Sequence, residues 1–261
     1  MNGTAGSVWQ REQSINIGVI ISDGNSPEMN PGTKKYKFLV SSGGTREKID
    51  EVRSITNSST GELGRLVCGA LAEMPGCEKI FYVCGPDAAH PDTDKADVLP
   101  VSDADSAAEA VKNILSKNYV DGIVHAMAVS DYRVKSVKTS GGVELERRQK
   151  IASGKDDLLL TLEATPKIIS LFSRLAPQAV LVGFKLLCGA TKETLIDAAF
   201  DLLQKNNCTF VIANDKYFIT ESSHKAYLID RNKNITEYHT KKEIAAGIAV
   251  KIYSTLNERR A

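Results

Sequence analysis

Short apolar runs alternate with segments of helical periodicity from Tyr36 onward. The apolar runs have the length of buried strands and are bounded by residues that end strands; they cover 38–40, 80–84, 122–128, 158–162, 180–184 and 210–213. Helical spacing of apolar residues occurs at 64–74, 106–117, 166–175 and 192–204. This alternation predicts an α/β fold with a doubly wound, mostly parallel sheet of Rossmann-like type.

Three further segments complete the predicted organisation. The pattern at 134–162 predicts a small β insertion. Near the C-terminus, 225–230 and 235–239 predict a hairpin, which is followed by a predicted helix from about Lys242. Residues 1–35 are rich in Gly, Ser, Asn and Pro and are interpreted as an N-terminal extension, so the domain is predicted to span 36–261. Pro166 follows Thr165, which predicts Thr165 as the N-cap of the third helix.

A long polar loop lies between the first predicted strand and the first predicted helix. Small residues let a backbone approach an anion closely, and a helix start offers unpaired N–H groups and the positive end of a dipole. The loop therefore predicts a phosphate site, with an ordinary capped helix as the alternative. It contains neither G-x-G-x-x-G nor G-x-x-x-x-G-K-[ST], so it predicts neither a dinucleotide fingerprint nor a P-loop. Its small residues are Gly43, Gly44, Thr45, Ser59, Thr60, Gly61 and Gly64.

The composition narrows the classes of protein to consider. The chain has 261 residues, of which 42% are apolar and 25% charged, as in an ordinary globular protein. A formal net charge of +1 gives no general support for a nucleic-acid partner, so any anion site must be local. The five cysteines form no C-x-x-C pair and the four histidines have no metal-ligand spacing, which favours a reducing compartment and argues against structural zinc. No apolar run approaches the ~20 residues of a membrane span, so a cytoplasmic protein without a membrane partner is expected.

Polar residues cluster where the predicted strands end. In doubly wound sheets, ligands bind beyond the carboxyl ends of the strands. The residues at those ends are small, hydroxylic, acidic or cationic, and such a set of side chains suits a phosphate ester better than an apolar ligand. They lie at 42–45, 85–87, 130–133, 183–185 and 213–215.

Six short segments follow one another in a specific order. They are SGGTREKID at 42–50, VRSITNSSTG at 52–61, HAMAVSDY at 125–132, Lys150-Ile151 followed by TPKII at 165–169, VGFKL at 182–186 and AND at 213–215. This order resembles the phosphopantothenate-cysteine ligase family, also called phosphopantothenoylcysteine synthetase, from about Tyr36 to the C-terminus. The stand-alone form is the expected one, because 1–35 is too short for the flavin-binding decarboxylase half of fused bacterial members.

The resemblance implies a two-step reaction of coenzyme A synthesis. The carboxylate of 4'-phosphopantothenate attacks the α-phosphorus of CTP or ATP, which gives an acyl-nucleotide and pyrophosphate. The amine of L-cysteine then displaces the nucleotide and forms an amide. Family members are typically homodimers that use Mg²⁺, and the sequence leaves the choice between CTP and ATP open.

The resemblance also implies roles for three residues. Asn57 would bind the acyl region of phosphopantothenate and orient the amine, Asp131 would contact the nucleotide or Mg²⁺, and Lys150 would offset charge growing on the phosphates. The ordinary alternatives are a helix cap for Asn57, a turn aspartate for Asp131 and a surface lysine for Lys150.

Further residues match the nucleotide and substrate pockets of the family. Pro166, Lys167, Ile168 and Ile169 would line the base pocket, Phe184 would lie beside the base or in the core, and Asn214 would contact substrate. The chain departs from fused bacterial members in the helix after Phe184, where they carry two triphosphate-binding lysines. Here the run 201–207 has only Lys205, shifted by about one position, and Lys185 is the candidate that supplies the missing charge.

Two competing interpretations remain. A short-chain NAD(P) oxidoreductase needs a Tyr-x-x-x-Lys pair on a mid-chain helix, and the one match, Tyr238 with Lys242, lies in the C-terminal region. A non-catalytic nucleotide-binding module would keep the glycine-rich loop but would need neither Asn57 nor Lys150.

Overall fold

An eight-stranded sheet organises the structure, a computed structural model that describes residues 34–154, 157–220 and 223–259. The extension expected at 1–35 lies outside these residues, apart from Lys34 and Lys35. In chain order the elements are β1 (Tyr36–Ser42), β2 (Arg46–Lys48), β3 (Ser54–Thr56), α1 (Glu62–Ala72), β4 (Cys77–Cys84), β5 (Ala96–Pro100), α2 (Ala104–Lys117), β6 (Gly122–His125), β7 (Tyr132–Thr139), β8 (Leu158–Ala164), α3 (Ile168–Leu175), β9 (Val180–Leu187), α4 (Lys192–Lys205), β10 (Phe210–Ile219), β11 (His224–Asp230), β12 (Ile235–Tyr238) and α5 (Lys241–Glu258).

The strand order confirms the doubly wound fold. The sheet runs β12-β11-β10-β9-β6-β1-β4-β5, and the strands from β10 to β5 pair in parallel. Strands β11 and β12 add the predicted C-terminal hairpin in antiparallel pairing. The chain adds β4 and β5 on one side of β1 and then adds β6, β9 and β10 on its other side, so the winding reverses between β1 and β6. That reversal point is where such sheets bind ligands.

Alternating side chains along the strands divide the core into two layers. Phe38 and Val40 of β1 pack with residues of α1 and α5 on one face of the sheet. Leu39, between them in sequence, packs on the other face with residues of α2, α3 and α4. Because successive strand residues point to opposite faces, helices cover both sides. In the described part of the chain, no helix has both the length and the apolar character that crossing a bilayer requires.

The third helix starts later than the sequence predicts. Its first residue is Ile168 and its N-cap position is Lys167, so Thr165 is not the cap and Pro166 is not the first helical residue. The Thr165 hydroxyl instead donates to the carbonyl of Ser130. Thr165 is buried, and this contact satisfies its hydroxyl while joining the start of α3 to the segment after β6.

Three short strands escape the sequence prediction. Strand β5 at the sheet edge carries only scattered apolar residues, and β2 and β3 form a hairpin inside the predicted polar loop. The predicted insertion is confirmed as a separate antiparallel pair, β7 with β8, which we call the β arm. The apolar run 158–162 therefore belongs to this arm and not to the main sheet.

Candidate functional site

The loops that follow β1 and β6 join where the winding reverses. The backbone N–H of Thr45 donates to the carbonyl of Ala128 (3.2 Å), and the N–H of Ala128 donates to the carbonyl of Gly43 (2.8 Å). The carboxyl ends of the parallel strands form one edge of the sheet, which we call the carboxyl edge. These bonds hold its two central loops at a fixed separation.

Glycines allow further loops to approach this edge. A Cβ on Gly44 would lie 2.2 Å from the backbone oxygen of Asn57, and one on Gly64 would lie 2.2 Å from Ser42 Oγ. Gly43 and Gly61 have φ of +78° and +70°, and a Cβ on either would meet Ala88 within 3 Å. Larger side chains at these four positions would separate the loops, so the predicted small residues enclose one backbone-lined cradle.

Helix α1 presents its N-terminus to this cradle. Its N-cap is Gly61, which makes no side-chain cap hydrogen bond. Ser59 and Thr60 immediately precede this cap, and Thr60 is exposed. First-turn N–H groups and the positive end of the helix dipole suit a phosphate. The one carboxylate in the first turn, Glu62, is paired with Arg65 (2.7 Å).

Asn57 lies beside the cradle and is not the cap of α1. Its side chain is exposed, and its Nδ2 donates to the carbonyl of Ala128 (3.3 Å). Its own carbonyl accepts from the N–H of Ser59 (2.9 Å). The cap alternative is therefore excluded, and no hydrogen bond to the Asn57 side-chain oxygen is found among the described residues.

A buried carboxylate that no pattern in the sequence indicates supports the loop after β1. Glu47 is only 5% exposed; its Oε1 accepts from the N–H of Ala104 (2.9 Å) and from the Thr45 hydroxyl (3.3 Å). The Thr45 hydroxyl in turn accepts from the N–H of Ser130 (2.9 Å). Burial, more than any other cause, raises the pKa of Glu47. In the sequence, Arg46-Glu47-Lys48 has the pattern of an exposed charged run, so no local signal distinguishes Glu47.

Asp131 and the start of α3 share the same edge. The Asp131 carboxylate pairs with the ammonium group of Lys167, and both side chains are largely exposed. The N–H of Thr165 donates to the Asp131 carbonyl (3.0 Å). Ile168 is buried, and Ile169 reaches Gly183 of β9. The structure thus brings Asp131 and the predicted base-pocket residues 166–169 together.

Phe184 and Lys185 lie on opposite faces of the sheet. Phe184 is half-buried against the layer of α1 and α5. Lys185 is the next strand residue and therefore faces the layer of α2, α3 and α4, the side on which Ile169 packs. Of the two side chains, that of Lys185 lies on the same face of the sheet as Ile169, so it is the one placed to join residues 166–169 at the predicted nucleotide site.

Asn214 is held by a buried histidine. Asn214 is buried, and its Nδ2 lies 2.9 Å from Nε2 of His224. An amide nitrogen only donates, so Nε2 accepts and Nδ1 carries the imidazole proton. That Nδ1 is buried without a hydrogen-bond partner in the described residues. The Asn214 amide nitrogen is therefore bonded within the protein, whereas no hydrogen bond to its Oδ1 is found in the described part of the chain.

The two remaining lysines lie on different parts of the structure. Lys150 is exposed in the loop between β7 and β8, and its neighbour Ile151 is buried. Lys205 ends α4, and the N–H of Thr209 just after it donates to the carbonyl of Leu181 at the start of β9 (2.8 Å). A helix between parallel strands runs antiparallel to them, so Lys205 is at the opposite edge of the sheet. The structure does not bring Lys205 to the predicted nucleotide site.

The described residues contain no group of three His, Cys, Asp or Glu side chains arranged to hold a metal ion. Mg²⁺ in nucleotide sites is usually held by substrate phosphates with one or two carboxylates, and it keeps several waters. Asp131 at the carboxyl edge fits that limited role. Such an ion would help to neutralise the triphosphate.

His224 gives the site a pH-dependent stability that can be measured. Burial, followed by the charge of Lys241, lowers the pKa of His224 from 6.5 to about 4. The unfolded chain then binds the proton more readily, so this contribution is complete above pH 6.5 and is lost as the pH falls from 6.5 towards 4. The difference corresponds to about 3 kcal/mol. Urea unfolding across this range should show a steeper acid loss for the unsubstituted protein than for His224→Gln; equal slopes would contradict the assignment.

Together these features define a class: a doubly wound α/β protein with a glycine-lined, backbone-walled cradle at its reversal point. The chain belongs to the family described as the DNA/pantothenate metabolism flavoprotein C-terminal domain, whose model matches residues 33–256. This match confirms the resemblance drawn from the six segments. It covers nearly all of the residues that the structure describes.

Individual relatives agree with this family. The coenzyme A biosynthesis bifunctional protein CoaBC of Thermococcus kodakarensis is 33% identical over 211 residues, which are 80% of this chain and 49% of the relative. The crystal structure of the DNA/pantothenate metabolism flavoprotein from Streptococcus pneumoniae matches with a TM-score of 0.76 and 32% identity, over 84% of this chain and 99% of that one. The C-terminal domain of a CoaBC protein matches with a TM-score of 0.66 and 25% identity, over 87% and 98%. The chain spans about half the length of the curated relatives it matches.

Proposed function

We propose that this chain is a ligase that joins 4'-phosphopantothenate to L-cysteine through an acyl-nucleotide, with CTP or ATP as co-substrate and Mg²⁺ on the triphosphate. The observation that carries the proposal is the placement of Asn57 beside the cradle, held through Ala128, in a chain of this family. The names of the relatives place them in coenzyme A biosynthesis, which agrees with this substrate.

In the first step, the carboxylate oxygen of phosphopantothenate attacks the α-phosphorus and pyrophosphate leaves. Backbone N–H groups around Gly43, Gly44 and the start of α1 bind phosphate oxygens, because the close packing of the glycine loops brings these groups to one place. Lys185 and Lys150 offset negative charge on the phosphates. Asp131 and residues 166–169 bind the nucleotide beyond the phosphates.

In the second step, the cysteine nitrogen attacks the acyl carbon and the nucleoside monophosphate leaves, while the amine loses a proton. Asn57 is suited to this step because its Nδ2 is already bound to Ala128 and its side-chain oxygen is free to accept from the amine. An amide orients the nucleophile without adding charge beside the phosphate. Asn214, fixed by His224, binds phosphopantothenate on the α1 face of the sheet.

The proposed enzyme is a homodimer that acts in the cytoplasm. The β arm is a two-stranded unit, and such a pair is marginally stable alone in water. It exposes 39% of Leu160 and 44% of Leu162, which lie on one face of β8. A second copy that covers these leucines would remove apolar surface from water. All five cysteines are free thiols, as suits a reducing compartment.

The oxidoreductase alternative has no support at the carboxyl edge. Tyr238 is half-buried and its hydroxyl lies against Gly247 of α5, where an added Cβ would meet it at 2.2 Å. A tyrosine that transfers a proton to a substrate must face the substrate pocket. Tyr238 packs instead on the terminal helix.

Isotope transfer tests the proposed chemistry. Phosphopantothenate labelled with ¹⁸O in its carboxylate is incubated with the chain, Mg²⁺, L-cysteine and either CTP or ATP. An acyl-nucleotide intermediate transfers one labelled oxygen to the phosphate of CMP or AMP, and the amide retains the other. Formation of nucleoside diphosphate and labelled inorganic phosphate would contradict the acyl-nucleotide and indicate an acyl-phosphate instead.

A further inference from the structure

The loop between β7 and β8 is fastened to the β2–β3 hairpin on both sides of Lys150. Arg147 donates from its guanidinium group to the carbonyls of Lys48 (2.5 Å), Ile49 (3.0 Å) and Val134 (2.7 Å). Four residues later, Ile151 is buried against Val134 and Val137. Lys150 itself is exposed, so a solvent-accessible cation lies between two attached residues.

Asp50 makes the second attachment with one specific oxygen. Its Oδ1 accepts from the N–H groups of Val52 (2.8 Å) and Arg53 (2.7 Å), which closes the turn of the β2–β3 hairpin. Its Oδ2 accepts from the N–H of Ile151 (3.1 Å) and lies 3.3 Å from Nε of Arg53. The Arg53 guanidinium also donates to the Ile151 carbonyl. One carboxylate therefore uses one oxygen for its own turn and the other for the distant loop.

The carboxylate is in its ionised form at this position. Asp50 is only 1% exposed. Burial alone raises the pKa of such a group, but the N–H groups of Val52, Arg53 and Ile151 together with the Arg53 charge outweigh it, and the pKa of Asp50 is lowered. Hydrogen bonds to a charged acceptor are stronger than those between neutral groups.

We propose that Asp50 is a positioning residue for the first step: through the Ile151 peptide it fixes the point from which Lys150 reaches the triphosphate. This inference rests on the proposed function. Strand β3 leads from the Asp50 turn directly to Asn57, so one hairpin carries the groups assigned to both steps. Without the attachment, Lys150 would be spread over many loop conformations, and fewer of them would place its charge beside the phosphates.

Asp50→Asn separates this role from folding of the turn. The asparagine oxygen can still accept from Val52 and Arg53, whereas its NH₂ group meets the N–H of Ile151, and two donors cannot bond. Glu144→Gln is the matched control, since Glu144 is an exposed carboxylate of the same loop with only a 4.0 Å contact to Lys138. The control should leave both steps unchanged.

A double-mutant cycle with Lys150→Gln tests the proposal by the rate of pyrophosphate release. Asp50→Asn should slow this step by about ten- to a hundredfold in the unsubstituted chain, the range of a hydrogen bond to a charged group. In the Lys150→Gln background it should change the rate less than about twofold, because the lysine that it positions is gone. Cysteine attack on acyl-nucleotide supplied from outside should keep its rate. Equal losses in both backgrounds would overturn the proposal and leave Asp50 a purely structural residue.

A second measurement needs no substituted protein. Hydrogen exchange at the Ile151 amide of the unsubstituted chain should be slow compared with that at the Lys150 amide, since of these two amides only that of Ile151 donates to Asp50. Equally fast exchange at both amides would overturn the proposal. An unsubstituted chain that releases no pyrophosphate would refute the proposed function itself. If the chain is active but Asp50→Asn and Lys150→Gln slow pyrophosphate release additively, only the role of Asp50 is refuted.

Discussion

Replacing Asn57 by Ala is expected to slow amide formation by about 10²- to 10³-fold, the effect of removing one oriented polar group at a reacting centre. Pyrophosphate release should change far less, because the first step uses the cradle and the cations. The reason is geometric: Nδ2 is bound to Ala128, so Oδ1 is the part of Asn57 that remains for the amine. Single-turnover kinetics with and without cysteine separates the two steps, and acyl-nucleotide should accumulate in the variant.

Ser58→Ala is the matched control for this prediction. Ser58 is the exposed neighbour of Asn57, and its side chain makes no hydrogen bond in the described structure. Its removal should leave both rates within about twofold, as for an ordinary surface change. If Asn57→Ala slows pyrophosphate release and amide formation equally, Asn57 has no specific role in the second step and contributes to general substrate binding instead.

Replacing Gly44 by Ala should reduce both steps together. The added Cβ would lie 2.2 Å from the backbone oxygen of Asn57, so the loop that contains Asn57 must move away. Displacement of a reacting group by about 1 Å can cost roughly 10²-fold in rate. Overpacking should also lower the free energy of unfolding by about 1–3 kcal/mol. Both quantities are measured on the same purified variant, by turnover and by urea unfolding.

Gly69→Ala provides the opposite case within α1. An added Cβ there meets no atom within 4 Å, and alanine favours a helix by about 0.5–1 kcal/mol over glycine. This variant should be at least as stable as the unsubstituted chain and equally active. A fully active Gly44→Ala protein would contradict the cradle, since its close approach to Asn57 would then be dispensable.

The sequence predicted the fold because its strongest signals are local. Apolar runs and helical spacing located the helices and the long parallel strands, and the order of these elements is sufficient to predict a doubly wound sheet. The predictions failed where tertiary contacts decide. Thr165 has the sequence of an N-cap, yet burial beside Ser130 directs its hydroxyl to that carbonyl.

The residues of the candidate site also divide into those that carry a local sequence signal and those that carry none. Glycines 43, 44, 61 and 64 carry a local signal, since small residues before a helix mark a close approach to an anion. Glu47 and Asp50 carry none, because a single sequence does not distinguish a buried carboxylate from a solvated one. Lys205 shows the converse, since its position in a matching segment suggested the triphosphate, while the direction of α4 takes it to the opposite edge of the sheet.

Pyrophosphate release is the most direct test of the proposed ligase. The purified chain is mixed with Mg²⁺ and 4'-phosphopantothenate, with CTP or ATP, and with or without L-cysteine. The account predicts release only in mixtures that contain phosphopantothenate, limited to about one equivalent per site without cysteine and continuous once cysteine is added, and the faster nucleotide identifies the co-substrate. No release with either nucleotide from folded protein would contradict the account and favour a nucleotide-binding module without catalysis.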